Sequence, residues 1–173
     1  MSAWRHVIRL ADLGRGALSV TLEPDEAVRA ELAKSLGIER LPMLKARLHV
    51  RPWLDGAEIT GRFQARVEQI CGVSLEPFES ELDGDLDVKV VPAGSPNAPI
   101  DSGGGEMEMD LEAPDPPDVL DSEEIDLAAY LVEHLALEID PFPRKPGAEF
   151  NYAPDAPEES PFAVLKKLRD GDE

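Results

Sequence analysis

From Lys45 to Ile70 two long runs of alternating residues flank the pair Asp55-Gly56. An Asp-Gly pair between such runs favours a tight β-hairpin, because a two-residue type I′ turn needs positive φ at both positions. With Asp55 and Gly56 as the loop, Leu54 faces Ala57, Val50 faces Gly61, Leu48 faces Phe63 and Ala46 faces Ala65, so one side of the ladder is small and apolar. The other side gathers Lys45, Arg47, His49, Arg51 and Trp53 from the first strand and Glu58, Thr60, Arg62, Gln64 and Arg66 from the second. In this register Lys45 lies opposite Arg66 and His49 opposite Arg62, and like charges directly across a ladder repel. Something negative is therefore expected on that face. RNA phosphate is one candidate, with Trp53 near the hairpin tip as a ring on which a base could stack. The commoner arrangement is neutralisation by carboxylates of a neighbouring strand, and Glu68 already shares the face.

A basic face is unusual for this chain. Acidic residues number 36 against 17 basic ones, giving a net charge of -19 and an isoelectric point near 4.4. The molecule as a whole repels nucleic acid and anionic lipid, so any phosphate binding must be local. Its 173 residues suit one domain with a real core. Cys71 is the only cysteine, which excludes an internal disulfide and a multi-thiolate metal site and suits a reducing cytosol. No metal or other cofactor is implied. Without an 18-residue apolar run or a basic-then-apolar leader, the expectation is a soluble, unexported, cytoplasmic protein.

Elsewhere, Leu18, Val20 and Leu22 alternate as a strand. Pro24-Asp25-Glu26 opens a helix with proline at its first position, Val28, Leu32 and Leu36 form its apolar stripe, and Gly37 stops it. A second hairpin is expected around Asp83-Gly84-Asp85. A three-residue loop there sets Leu82 against Leu86, Ser80 against Val88 and Phe78 against Val90, leaving Glu79, Glu81, Asp87 and Lys89 on the polar side. Residues 93–124 carry ten acids, repeated glycine and proline and no Lys or Arg, which reads as a mobile acidic loop. A helix then starts at Asp121, with Glu124 completing a box, or at Asp126. Leu127, Leu131 and Leu135 form its buried stripe, and it ends near Glu138 or Ile139, before Pro141. Pro141 to Gly147 reads as a rigid, partly basic turn. In the tail, Ser160-Pro161 begins a short helix with Phe162, Leu165 and Leu168 on one side and Lys166, Lys167 and Arg169 near its end. That helix either docks on the body or serves as a detachable recognition element.

Nothing here points to catalysis. There is no glycine-rich phosphate loop, no metal-ligand spacing and no nucleophile beside an evident base. His134 follows Glu133 directly, and helical neighbours one apart do not face each other.

Three stretches together resemble the YceD-like family, bacterial and plastid proteins linked to accumulation of large-subunit ribosomal RNA. They are the long β-segment ending in Cys71-Gly72-Val73-Ser74-Leu75-Glu76-Pro77-Phe78, then Ile125-Asp126-Leu127 leading through Glu133 and Leu137 to Pro141 and Pro143, and last Ser160-Pro161-Phe162-Ala163-Val164-Leu165. The resemblance covers most of the chain outside the acidic loop. Many relatives carry Cys-x-x-Cys where this chain has Cys71 and Ser74, and often a further cysteine where it has Arg144-Lys145, so a redox or metal role of those cysteines cannot operate here. Cys71 is expected to pack as a small apolar residue at a strand end.

The resemblance implies one YceD-like domain over 1–173, with 93–124 as an acidic insertion and 148–173 as a tail. The fold expected is α+β: an antiparallel sheet of long hairpins, curled towards a half-barrel, with two main helices and a short C-terminal one. The function implied is non-enzymatic support of large-subunit rRNA accumulation or processing in ribosome biogenesis. Its partner would be that rRNA or a pre-ribosomal particle, and the hairpin register, not the resemblance, supplies the face to meet it: Lys45, Arg47, His49, Arg51, Trp53, Arg62 and Arg66. The alternative is a protein-interaction module whose acidic loop binds a basic ribosomal protein. No membrane contact is expected.

Overall fold

The computed structural model describes residues 4–99 and 115–150. Ten elements follow in order: β1 (Val7–Arg9), a 3-10 helix (Leu10–Arg15), β2 (Leu18–Leu22), α1 (Glu26–Leu36), β3 (Arg40–Trp53), β4 (Gly56–Ile70), β5 (Pro77–Pro92), β6 (Asp118–Leu120), β7 (Glu124–Asp126) and α2 (Leu127–Glu138). The class is α+β. A five-stranded sheet runs β2-β3-β4-β5-β6, antiparallel throughout except for the parallel β5–β6 pair, and β1 pairs antiparallel with β7. Among the described residues the sheet is open at both ends and does not close into a barrel.

The long hairpin forms, but its loop is Leu54-Asp55, not Asp55-Gly56. Trp53 pairs with Gly56, Val50 with Ile59, Leu48 with Gly61 and Ala46 with Phe63. The expected pairs are displaced by two residues, so every side chain keeps its face while its partner changes. The reason lies one strand away. A Cβ at position 56 would collide with the backbone carbonyl of Val90, so this glycine serves close approach of β5, and exposed Leu54 takes the turn's positive φ of 51°. Asp55 staples the tip instead, accepting hydrogen bonds from Ser95 Oγ and Asn97 Nδ2, each at 2.9 Å.

The second expected hairpin does not exist. Asp83, Gly84 and Asp85 lie inside one unbroken strand, paired with Gln64, Phe63 and Arg62. Alternation continues straight through them, with Leu82, Gly84, Leu86 and Val90 on the core side and Glu81, Asp83, Asp85 and Asp87 facing solvent. Gly84 marks a close approach to Phe63 and not a turn.

On the core side Leu44, Leu48, Val50, Ile59, Phe63, Val67 and Leu86 join Leu32 of α1 and Leu131 and Leu135 of α2 in one buried cluster. Each large side chain so buried contributes about 1.5–3 kcal/mol relative to exposure. Helix α1 begins at its Asp25 cap, whose carboxylate accepts from Val28 N–H at 2.9 Å, and ends at Gly37 with φ 70°. Pro24 therefore precedes the cap and does not occupy the first helical turn. Helix α2 is capped by Asp126 and not by Asp121: Glu124 and Ile125 are consumed by β7, which pairs with β1. The acidic stretch is ordered at both ends, through the Asp55 staple at 95–97 and through β6 at 118–120. Its middle, and the Ser160-Pro161-Phe162 helix of the tail, lie outside the described residues.

Candidate nucleic-acid interface

Backbone register alone puts three columns of charged side chains side by side on the solvent face. The β3 column is Lys45, Arg47, His49, Arg51 and Trp53; β4 presents Glu58, Thr60, Arg62, Gln64 and Arg66; β5 presents Glu79, Glu81, Asp83, Asp85, Asp87 and Lys89. β2 adds Ser19 beside His49 and Thr21 beside Arg47. All of the basic candidates share the face, as the alternation requires.

Most of them already have carboxylate partners. Arg62 Nε donates to Asp85 at 2.8 Å, and Arg66 reaches Glu81 at 3.0 Å and Glu79 at 3.8 Å. Lys45 Nζ lies 3.0 Å from Glu23, Arg40 lies 3.6 Å from Glu68, and Arg51 pairs with its cross-strand neighbour Glu58. The hydrogen bond from Arg51 holds the Glu58 carboxyl below its ordinary range against the burial that would raise it. Lys89 Nζ sits 5.7 Å from the centre of the Trp53 ring, so the expected stacking platform carries an internal cation. Arg47 is different: it stands opposite Arg62 and has no ion pair among the described residues. Among the described residues the His49 ring bonds only the Ser19 hydroxyl, at 2.9 Å. Arg47 and His49 border a concave trough of about 760 Å³ that also touches Lys45, Arg62, Asp83 and Asp85.

Of the residues carried by the sequence resemblance, Cys71, Leu75 and Pro143 meet just beyond the end of β4, whereas Asp126 sits at the other end of α2 beside Arg5 and His6. Cys71 follows β4 and is fully shielded, and its sulfur accepts backbone N–H bonds from Val73 and Ser74 at 3.4 Å and from Lys145 at 3.3 Å. The Ser74 hydroxyl first, then the N–H groups of Ser74, Lys145 and Val73, pull its thiol down to about 6 against the opposing effect of burial. Gly72 N–H donates to Pro143 O at 2.9 Å, and Lys145 Nζ meets Glu76 at 2.8 Å. The cysteine loop and the proline segment thus clasp each other across more than seventy residues of sequence. Between them Leu75 is held at φ 58° and left exposed. Leu137 and Glu133 lie on the outer side of α2, Pro141 is exposed, and Asp126 bonds His6 N–H at 3.0 Å besides capping α2. Pro161 and Phe162 fall outside the described residues.

A family model described as "Large ribosomal RNA subunit accumulation protein YceD" matches residues 59–169. The chain belongs to the YceD family. The YceD match starts within β4 and takes in β5, the cysteine loop, the Asp126 cap and α2. Comparison with curated proteins finds no match. Comparison with solved structures finds none either. The family's name ties this protein to large-subunit rRNA, and no helix among the described residues is long and apolar enough to cross a membrane.

Proposed function

We propose that this YceD protein supports large-subunit rRNA accumulation in the cytoplasm without catalysis, by holding rRNA or an rRNA–protein assembly intermediate against the β3 column. The observation that carries this reading is Arg47, an exposed guanidinium with no internal counter-charge among the described residues, beside His49 and the hydroxyls of Ser19 and Thr21. Lys45, Arg62 and Arg66 join by exchanging an exposed carboxylate for a phosphate, whereas Arg51 keeps its buried partner Glu58 and offers phosphate only its remaining N–H groups. Such an exchange is cheap, because exposed ion pairs are worth about 0–1 kcal/mol each. Affinity is modest, since the molecule is acidic overall and few phosphates are engaged, and the slope of log affinity against log salt is about one for each phosphate contacted.

The test is binding of large-subunit rRNA fragments across a salt series. The wild type is compared with Arg47→Glu/Arg62→Glu/Arg66→Glu and with deletion of residues 101–124. Loss of binding and a flatter salt slope in the triple variant alone is the expected result. Wild-type binding no stronger than that of an unrelated acidic protein defeats the reading. It would move attention to the second one, in which the acidic loop holds a basic ribosomal protein. That alternative draws on the net charge of -19 and on a stretch without Lys or Arg between 93 and 124.

A further inference from the structure

β6 joins β5 only at Val90–Pro92, so from Phe78 to Lys89 the second edge of β5 carries no strand among the described residues. No other backbone among them bonds to this stretch. An edge of this length presents a row of N–H and C=O groups on which another extended chain can pair. Beside it, where β6 stops, a groove of about 570 Å³ opens against Asp87, Val88 and Lys89, walled by Asp115, Asp118 and His134. Charge says what fits there. Asp83 and Asp87 face solvent along the edge, and neither they nor Asp115 has an ion pair among the described residues, whereas Glu79, Glu81 and Asp85 are engaged by Arg66 and Arg62. Asp87 and Asp115 thus sit at the groove, and Asp83 lies on β5 nearer its middle.

We propose that the open edge of β5 takes an extended, lysine- and arginine-rich segment of a partner protein, which adds a strand upstream of β6 and lays basic side chains along Asp83, Asp87 and Asp115. This surface lies across β4 from the β3 column and, of its three carboxylates, shares only Asp83 with the trough beside Arg47, so its test is made without RNA and does not rest on RNA binding there. A sheet so used joins a basic protein segment at one edge to rRNA on the neighbouring face.

The probe is a synthetic peptide of alternating lysine and valine, with two versions N-methylated along one or the other of its backbone edges. All three carry the same charge, so only strand addition distinguishes them. With the full chain, the parent and one methylated version should bind, while the other loses about tenfold or more in affinity. Amide exchange should slow between Phe78 and Lys89, and Asp83→Asn/Asp87→Asn/Asp115→Asn should weaken the parent. Equal binding of all three peptides overturns strand addition in favour of plain charge attraction. Absence of binding overturns the site, as does binding that appears only in a full-length Lys166→Glu/Lys167→Glu/Arg169→Glu variant, which would mean that the chain's own tail holds the edge.

Discussion

Phe63 lies against Gly84 so closely that a Cβ built on residue 84 would stand 2.5 Å from the ring. The two are cross-strand partners on the core side of β4 and β5, and Phe63 is among the largest fully buried side chains. Gly84→Ala therefore cannot be absorbed by a flexible side-chain end. It should destabilise by about 1–3 kcal/mol, the usual penalty for overpacking a core. Phe63→Leu alone should also destabilise, but combining it with Gly84→Ala should recover part of the loss. Denaturant unfolding of the four proteins in a double-mutant cycle checks this, and strictly additive effects would refute the contact as the cause.

Asp126 ties three parts of the chain together. Its carboxylate caps α2 through Ala128 N–H, accepts from His6 N–H at 3.0 Å, and pairs with Arg5 at 3.0 Å. Burial raises its pKa, but the bonds from His6, Arg5 and the N–H groups of Ala129 and Ala128 outweigh it and leave the group lowered. A carboxyl lowered in the fold adds stability that is complete above its unfolded value of about 3.9 and disappears as pH falls through the folded value. Asp126→Asn keeps a capping oxygen, so at neutral pH it should lose only what the charge supplies, about 0.3–1 kcal/mol. The gap from wild type should close below about pH 4. Thermal unfolding of both proteins from neutral to acid pH gives the answer, and a gap constant with pH would contradict the assignment.

Cys71 should titrate inside the physiological range. With its thiol drawn down to about 6 by Ser74 and three backbone N–H donors, the folded state favours the thiolate more than the unfolded chain does. Its stabilising contribution is present above the unfolded value of about 8.5 and is lost as pH falls through the folded one. Ultraviolet absorbance of the thiolate should rise near pH 6 in the native protein, and Cys71→Ala should remove that step and flatten the climb in stability between the two values. A native thiol that titrates near its ordinary pKa would show that the clasp with Lys145 does not act on the sulfur.

The faces of the sheet were legible from alternation alone, since side chains at period two keep their side whatever the partner. Register and strand count were not. Gly56 and Gly84 each follow an aspartate and look like turn residues, yet each answers to a contact far away in sequence, with Val90 and with Phe63. Asp121 reads as a helix cap until β1 pairs with β7 and moves the start to Asp126. The basic face was visible, and so were Glu79 and Glu81 as acids that could neutralise it, but Asp85 as the partner of Arg62 came clear only once β5 proved to be one strand laid along β4. The clasp between Cys71 and Lys145 had no local sign, because neither segment says which other loop it will meet.

Those counter-ions yield a prediction in the opposite direction from the usual charge reversal. Glu79, Glu81 and Asp85 hold Arg66 and Arg62 at 2.8–3.8 Å on an exposed surface. Replacing them in Glu79→Gln/Glu81→Gln/Asp85→Asn releases two guanidiniums beside Arg47 while removing three negative charges from the face. If the β3 column and its β4 neighbours meet phosphate, affinity for large-subunit rRNA should rise severalfold at low salt. The slope of log affinity against log salt should steepen by about one for each cation newly engaged. Folding stability should change by no more than about 1 kcal/mol per pair, as for exposed ion pairs generally. Filter binding at several salt concentrations, alongside unfolding of the same variant, separates the outcomes. Tighter binding with a steeper slope supports phosphate on this face, whereas tighter binding with an unchanged slope traces the gain to reduced net repulsion and counts against contact by Arg62 and Arg66.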